Sequence, residues 1–66
     1  MQIILNGEKR ELPSIILLSG LVDQLSLASQ RIAVEVNGMV VRRTDWPEIE
    51  INDGDRIEVV HFVGGG

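Results

Sequence analysis

The chain closes on three consecutive glycines, Gly64, Gly65 and Gly66, directly after the run Ile57-Glu58-Val59-Val60-His61-Phe62-Val63. Glycine costs the most backbone entropy to order and brings no side chain to pack. Its useful property is that the backbone can approach another surface closely or enter a narrow channel. A flexible glycine tail ending in a free carboxylate is therefore suited to reaching into a nucleotide-binding active site. The same residues also fit a frayed terminus, which is common, and composition does not choose between the two. What favours a defined role is the patterned strand before them, which would hold the tail at a fixed exit point.

The other candidates are weaker. The sequence has no cysteine, which excludes a thiol nucleophile, a disulfide framework and a thiolate metal site. Any sulfur chemistry must be borrowed from a partner or carried on something other than a side chain. His61 is the only histidine, and no Ser or Cys nucleophile pairs with it in sequence. It reads as a sheet histidine facing solvent or a partner. Asp53 and Asp55 flank Gly54 with no further ligand run, which makes a turn and not a cation site. No Gly-rich phosphate loop lies between a strand and a helix, and no carboxylate pair is placed to hold Mg²⁺. Trp46 is expected partly buried beneath a link shaped by Pro47, with Arg42 and Arg43 forming a solvated corner.

The elements that must position the tail follow from the pattern. Residues 1–5 are a β-rich run closed by Asn6-Gly7, a strong hairpin dipeptide, and residues 8–12 return as far as Pro13. Leu18, Leu21, Val22, Leu25 and Ala28 then recur on one helical face. Ser14 or Ser19 is the expected N-cap, and Gly20 favours the later start. From Arg31 the period changes to two: Ile32, Val34 and Val36 alternate with Ala33 and Glu35. Asn37-Gly38 and Met39-Val40-Val41 complete a second hairpin. Residues 42–47 read as an irregular link, because Pro47 disfavours helix at Trp46. Ile49 and Ile51 mark a short edge segment, residues 52–55 a tight turn, and residues 56–63 the longest strand.

Hairpin, helix, hairpin, short segment and final strand is the order of an α+β fold of the ubiquitin-like β-grasp type. It predicts a mixed four- to five-stranded sheet packed on one main helix, with the first and last strands parallel and central. Residues 1–63 would form this domain and residues 64–66 the glycine tail. Leu21, Val22 and Leu25 are expected to pack on Ile3, Leu5, Val34, Val36, Ile57 and Val59. Along the last strand Ile57, Val59, His61 and Val63 share one face, and Glu58, Val60 and Phe62 the other. If Ile57 and Val59 point to the helix, Val60 and Phe62 form an exposed apolar patch beside the tail. Such patches mark protein-binding sites.

Composition narrows the function classes. At 66 residues there is room for one core, made mostly of Ile, Leu and Val because the chain has one Phe, one Trp and no Tyr. Six Lys and Arg stand against ten Asp and Glu, a net charge of −4. A nucleic-acid module would need a basic face to neutralise phosphates. The N-terminus has no basic n-region or long apolar h-region, and no apolar run approaches membrane-spanning length. A cytoplasmic protein without membrane or nucleic-acid partners is the expectation.

Val34-Glu35-Val36-Asn37-Gly38, Val41-Arg42-Arg43, Trp46, Asp53-Gly54-Asp55 and the block from Ile57 to Gly66 together resemble the ThiS family, the sulfur carriers of thiamine biosynthesis. The resemblance spans the whole chain, and the C-terminal block is its most specific part. Ile15-Ile16-Leu17 departs from it, where the family usually has a small or polar loop before the helix.

The resemblance implies a protein substrate and not an enzyme. An E1-like adenylyltransferase, ThiF, would use ATP to convert Gly66 to an acyl-adenylate. A sulfur donor would then yield a thiocarboxylate, delivered to the thiazole synthase ThiG. Gly64 and Gly65 would enter the partner's active site, and Val60, Phe62 and Val63 would meet its surface. The chain itself would bind no cofactor, ATP and Mg²⁺ belonging to the activating partner. Three rivals remain open at this level: a carrier like the small subunit of molybdopterin synthase, a ubiquitin-like protein modifier, and a β-grasp binding module with inert glycines.

Overall fold

Asn6 and Gly7 take left-handed backbone, with φ of 50° and 82°, and Asn37 and Gly38 repeat it at 51° and 85°. Two successive positive-φ residues make the turn whose twist matches the strands it joins. The computed structural model describes residues 1–62. In chain order they form β1 (Gln2–Leu5), β2 (Glu8–Glu11), β3 (Ile16–Leu17), α1 (Leu18–Gln24), β4 (Ile32–Val36), β5 (Met39–Val41), a 3₁₀ helix (Arg43–Glu48), β6 (Glu50–Ile51) and β7 (Arg56–His61). Five strands form one mixed sheet in the order β2-β1-β7-β4-β5. β1 and β7 are parallel, while the other pairings are antiparallel. Both expected hairpins and the interior, parallel placing of the first and last strands are therefore present.

The two turn asparagines do more than tolerate positive φ, because each also grips β7. Asn6 Oδ1 accepts the Val59 N–H at 2.8 Å. Asn37 Oδ1 accepts the Arg56 N–H at 2.9 Å, and its Nδ2 donates to Asp55 Oδ1 at 3.0 Å. The last strand is thus tied to both hairpin tips. Asn37→Gly should keep the turn and lose these two bonds, costing about 1–2 kcal/mol at roughly 1 kcal/mol per net hydrogen bond. A lowered urea midpoint with unchanged m-value is the expected readout.

Leu18, Leu21 and Val22 of α1 pack on Ile3, Leu5, Ile32, Val34 and Ile57, all buried. Leu12, Trp46 and Ile51 are also in the core, although they were not among its expected members. Val36, Val59 and Leu25 are packed against that core but only half-buried. Among the described residues no helix is long and apolar enough to cross a membrane. At one sheet edge β2 exposes Glu8-Lys9-Arg10-Glu11, a charged strand of the kind that discourages edge-to-edge pairing.

Three expectations are corrected. The helix is capped by neither Ser14 nor Ser19. It starts at Leu18, after an extended Leu17 and with no side-chain cap. The cause is long-range: Ile16 and Leu17 pair with Ile51 and Glu50 in a separate two-stranded ribbon. The Leu18 N–H accordingly donates to the Ile49 carbonyl at 2.7 Å.

Nor does the helix reach Ala28. Ser26 takes φ of 59°. Its N–H bonds the Asp23 carbonyl at 3.0 Å, and the Leu27 N–H bonds that of Val22 at 3.1 Å. That pair of bonds is a Schellman ending, with serine where glycine is usual. The third correction is the link, whose residues Arg43–Glu48 form a 3₁₀ helix with Pro47 inside it. Proline removes one donor from this short turn. Trp46 holds the segment, being buried and donating Nε1–H to the Val41 carbonyl at 3.1 Å.

Candidate functional site

β7 presents the alternation read from its residues. Ile57 is buried and Val59 half-buried on the helix side, while Glu58 and Val60 face outward. Val60 is 53% exposed and Phe62 50% exposed. Across the sheet Val60 lies opposite Ala33, Glu58 opposite Glu35, and Glu35 opposite Val40 of β5. The outer face thus carries apolar side chains toward the C-terminal end of β7. Toward its start lies a shallow, charged hollow lined by Glu35, Gly38, Arg56 and Glu58. Among the described residues the outer face is left open because α1 packs on the other side.

The end of the strand is held through the loop ahead of β4. The Phe62 N–H donates to the Arg31 carbonyl at 3.2 Å. His61 Nε2 lies 3.2 Å from Gln30 Oε1, and His61 is exposed. Val63, Gly64, Gly65 and Gly66, named above as interface, tail and sulfur attachment point, lie outside the described residues.

The turn at residues 52–55 is present, with Gly54 at φ of 87°. Asp53 Oδ1 accepts the Gln2 N–H at 2.7 Å, and Asp55 Oδ2 accepts the Asn52 N–H at 2.8 Å. Both carboxylates are engaged by turn and strand donors. Among the described residues no three His, Cys, Asp or Glu side chains converge as a metal site would require.

The corner at Arg42 and Arg43 is solvated, as expected. Arg42 is exposed and pairs with Asp45 at 3.3 Å. Arg43 is exposed as well and makes contacts besides: Nη1 donates to the Ala28 carbonyl at 2.8 Å and Nη2 to that of Gln30 at 2.7 Å. Its guanidinium carbon sits 4.4 Å from the Trp46 ring centroid. The only local signal for this was the spacing Arg43 to Trp46, one turn of a 3₁₀ helix. Trp46 is 4% exposed, so a ligand-stacking role is closed to it.

Comparison with known proteins matches residues 3–66 to the ThiS family. The thiazole synthase of Paramagnetospirillum magneticum is 35% identical over 66 residues, which is 100% of this chain and 20% of that protein. The chain therefore spans about a fifth of that relative's length. The sulfur carrier protein ThiS of Bacillus subtilis is 37% identical over 49 residues, 74% of each chain. The crystal structure of the thiamine biosynthesis protein ThiS from Geobacter metallireducens superposes with a TM-score of 0.89 at 29% identity, over 100% of both chains.

Proposed function

The chain belongs to the ThiS family, and on that premise we propose that it is a sulfur carrier whose working group is the carboxylate of Gly66. The observation that carries this reading is the extent of the family match, which runs through the last residue and so includes all three terminal glycines. The sequence supports it independently by offering no cysteine as an alternative sulfur-bearing group.

The chemistry dictates the sequence of events. A C-terminal carboxylate has a pKa of roughly 3.5, so at neutral pH it is ionised and a poor electrophile. Sulfur replaces one of its oxygens only after activation. ThiF, an E1-like adenylating enzyme, transfers AMP from ATP to the Gly66 carboxylate and releases pyrophosphate. A sulfur donor then attacks the acyl carbon and AMP leaves with the oxygen, which leaves a thiocarboxylate on Gly66. The carrier gives up that sulfur at the thiazole synthase ThiG, takes an oxygen in its place from water or from the acceptor's carbonyl, and returns as the carboxylate. ATP and Mg²⁺ are held by the activating partner. That a thiazole synthase contains a counterpart of this chain over a fifth of its length supports the choice of recipient.

Each step needs the tail inserted while the body of the carrier rests on the partner. Val60 and Phe62 are the surface we assign to that contact. Phe62→Ala should weaken binding to ThiF or ThiG by about tenfold or more, the effect of truncating an aromatic anchor. It should leave the melting temperature nearly unchanged, since the ring is already half in solvent. Titration calorimetry reads the first quantity, and affinities for both partners equal to those of the wild type would remove Phe62 from the interface. The activity itself is tested by ATP–pyrophosphate exchange: ThiF should exchange label in the presence of this chain and not of the chain amidated at Gly66.

A further inference from the structure

Among the described residues β7 has neighbours on both sides only from Arg56 to Val59. Its pairs with β1 are Ile4 to Arg56 and Leu5 to Ile57, followed by the Val59 N–H on Asn6 Oδ1 at 2.8 Å. Beyond that point the strand rests on one side. Val60 lies opposite Ala33, His61 opposite Ile32, and the Phe62 N–H ends on the Arg31 carbonyl at 3.2 Å. The place of Phe62 is therefore set by residues 30–32.

Residues 28–31 are exposed and lie between the end of α1 and the start of β4. Arg43 braces this loop from outside. One guanidinium nitrogen holds the Ala28 carbonyl at 2.8 Å, and the other holds the Gln30 carbonyl at 2.7 Å. The guanidinium carbon lies over the ring of buried Trp46, 4.4 Å from the centroid. Gln30 in turn reaches His61, with Oε1 at 3.2 Å from Nε2. A planar fork whose two nitrogens are each bonded to a different carbonyl is a rigid spacer, a role an ammonium group cannot fill.

We propose that Arg43 is a positioning residue for the C-terminal segment. By pinning Ala28 and Gln30 over Trp46, it fixes the strand edge on which His61 and Phe62 lie, and so the point from which the last four residues depart. Its consequence for activation rests on the sulfur-carrier reading, whereas its structural content does not. Arg43 acts at a distance, through backbone carbonyls, and touches no reacting atom.

The test uses the full chain carrying Arg43→Gln, with Arg43→Lys as the second variant should the first not fold. Amide hydrogen exchange should rise at least tenfold at Phe62, with less change at Val59, whose amide Asn6 holds independently of Arg43. In ATP–pyrophosphate exchange the KM for the variant chain should rise several-fold while kcat stays unchanged, because the chemistry at Gly66 is untouched once the tail is seated. Equal changes at Phe62 and Val59, or none at either, would overturn the proposal. A selective change at Phe62 with unaltered KM would overturn the link to activation. A wild-type chain that supports no exchange with ThiF would instead refute the carrier reading, and leave the amide comparison to decide the brace.

Discussion

A chain lengthened by a single residue after Gly66 should gain no sulfur. The extension moves the free carboxylate onto a new residue, beyond the position at which the activating enzyme expects it. Deleting Gly65 and Gly66 should abolish activation from the other direction, by shortening the reach. Gly65→Val should be nearly as damaging, since a β-branched side chain stiffens the backbone and prevents close approach. None of these changes should alter the fold, because glycine brings no side chain to a core whose described members end at Val59. The pairing of an unchanged melting temperature with lost ATP–pyrophosphate exchange is what distinguishes a functional tail from a structural one. A tagged or truncated chain that still gained sulfur would place the chemistry elsewhere.

The largest effect on stability should come from Leu21→Ala. Leu21 is 1% exposed, at the centre of a helix of seven residues. So short a helix owes its stability to the apolar face it buries and not to its own propensity. Truncating a buried leucine costs about 2–5 kcal/mol through lost transfer energy and the cavity left behind. Domains have only about 5–15 kcal/mol in total, and one of this size sits toward the lower end. The variant should therefore be substantially unfolded at physiological temperature, with a urea midpoint far below that of the wild type. Leu25→Ala should cost distinctly less, because Leu25 lies at the C-cap and is half-buried. Equal losses at the two positions would contradict the packing described.

The contrast between Leu21 and Leu25 shows where local pattern ceases to inform. The periodicity through Leu25 and Ala28 continues past the point where the helix stops, because Ser26 enters left-handed backbone without the glycine that usually announces it. The helix start was hidden for a different reason. Ile16 and Leu17 are fixed by pairing with Ile51 and Glu50, residues remote in the chain, and no local signal carries that information. Asn-Gly turns, in contrast, are specified by two adjacent residues, and both hairpins were legible for that reason.

The candidate site divides along the same line. The outward direction of Val60 followed from strict alternation once Ile57 was assigned inward. The exposure of Arg43 is legible, but its partners are not, because they are the carbonyls of a loop brought near only by the folded 3₁₀ segment. Val59 was expected in the core and is half-buried, which agrees with its position where β1 ceases to flank β7.

The central claim is that the carboxylate of Gly66 exchanges oxygen for sulfur, and the intact mass of the chain tests it most directly. After incubation with ThiF, ATP and a sulfide source, the mass should rise by the difference between one sulfur and one oxygen. Fragmentation should locate the whole increase on Gly66, and omission of ATP should prevent it. An unchanged mass under these conditions, or an increase located on any other residue, would contradict the account.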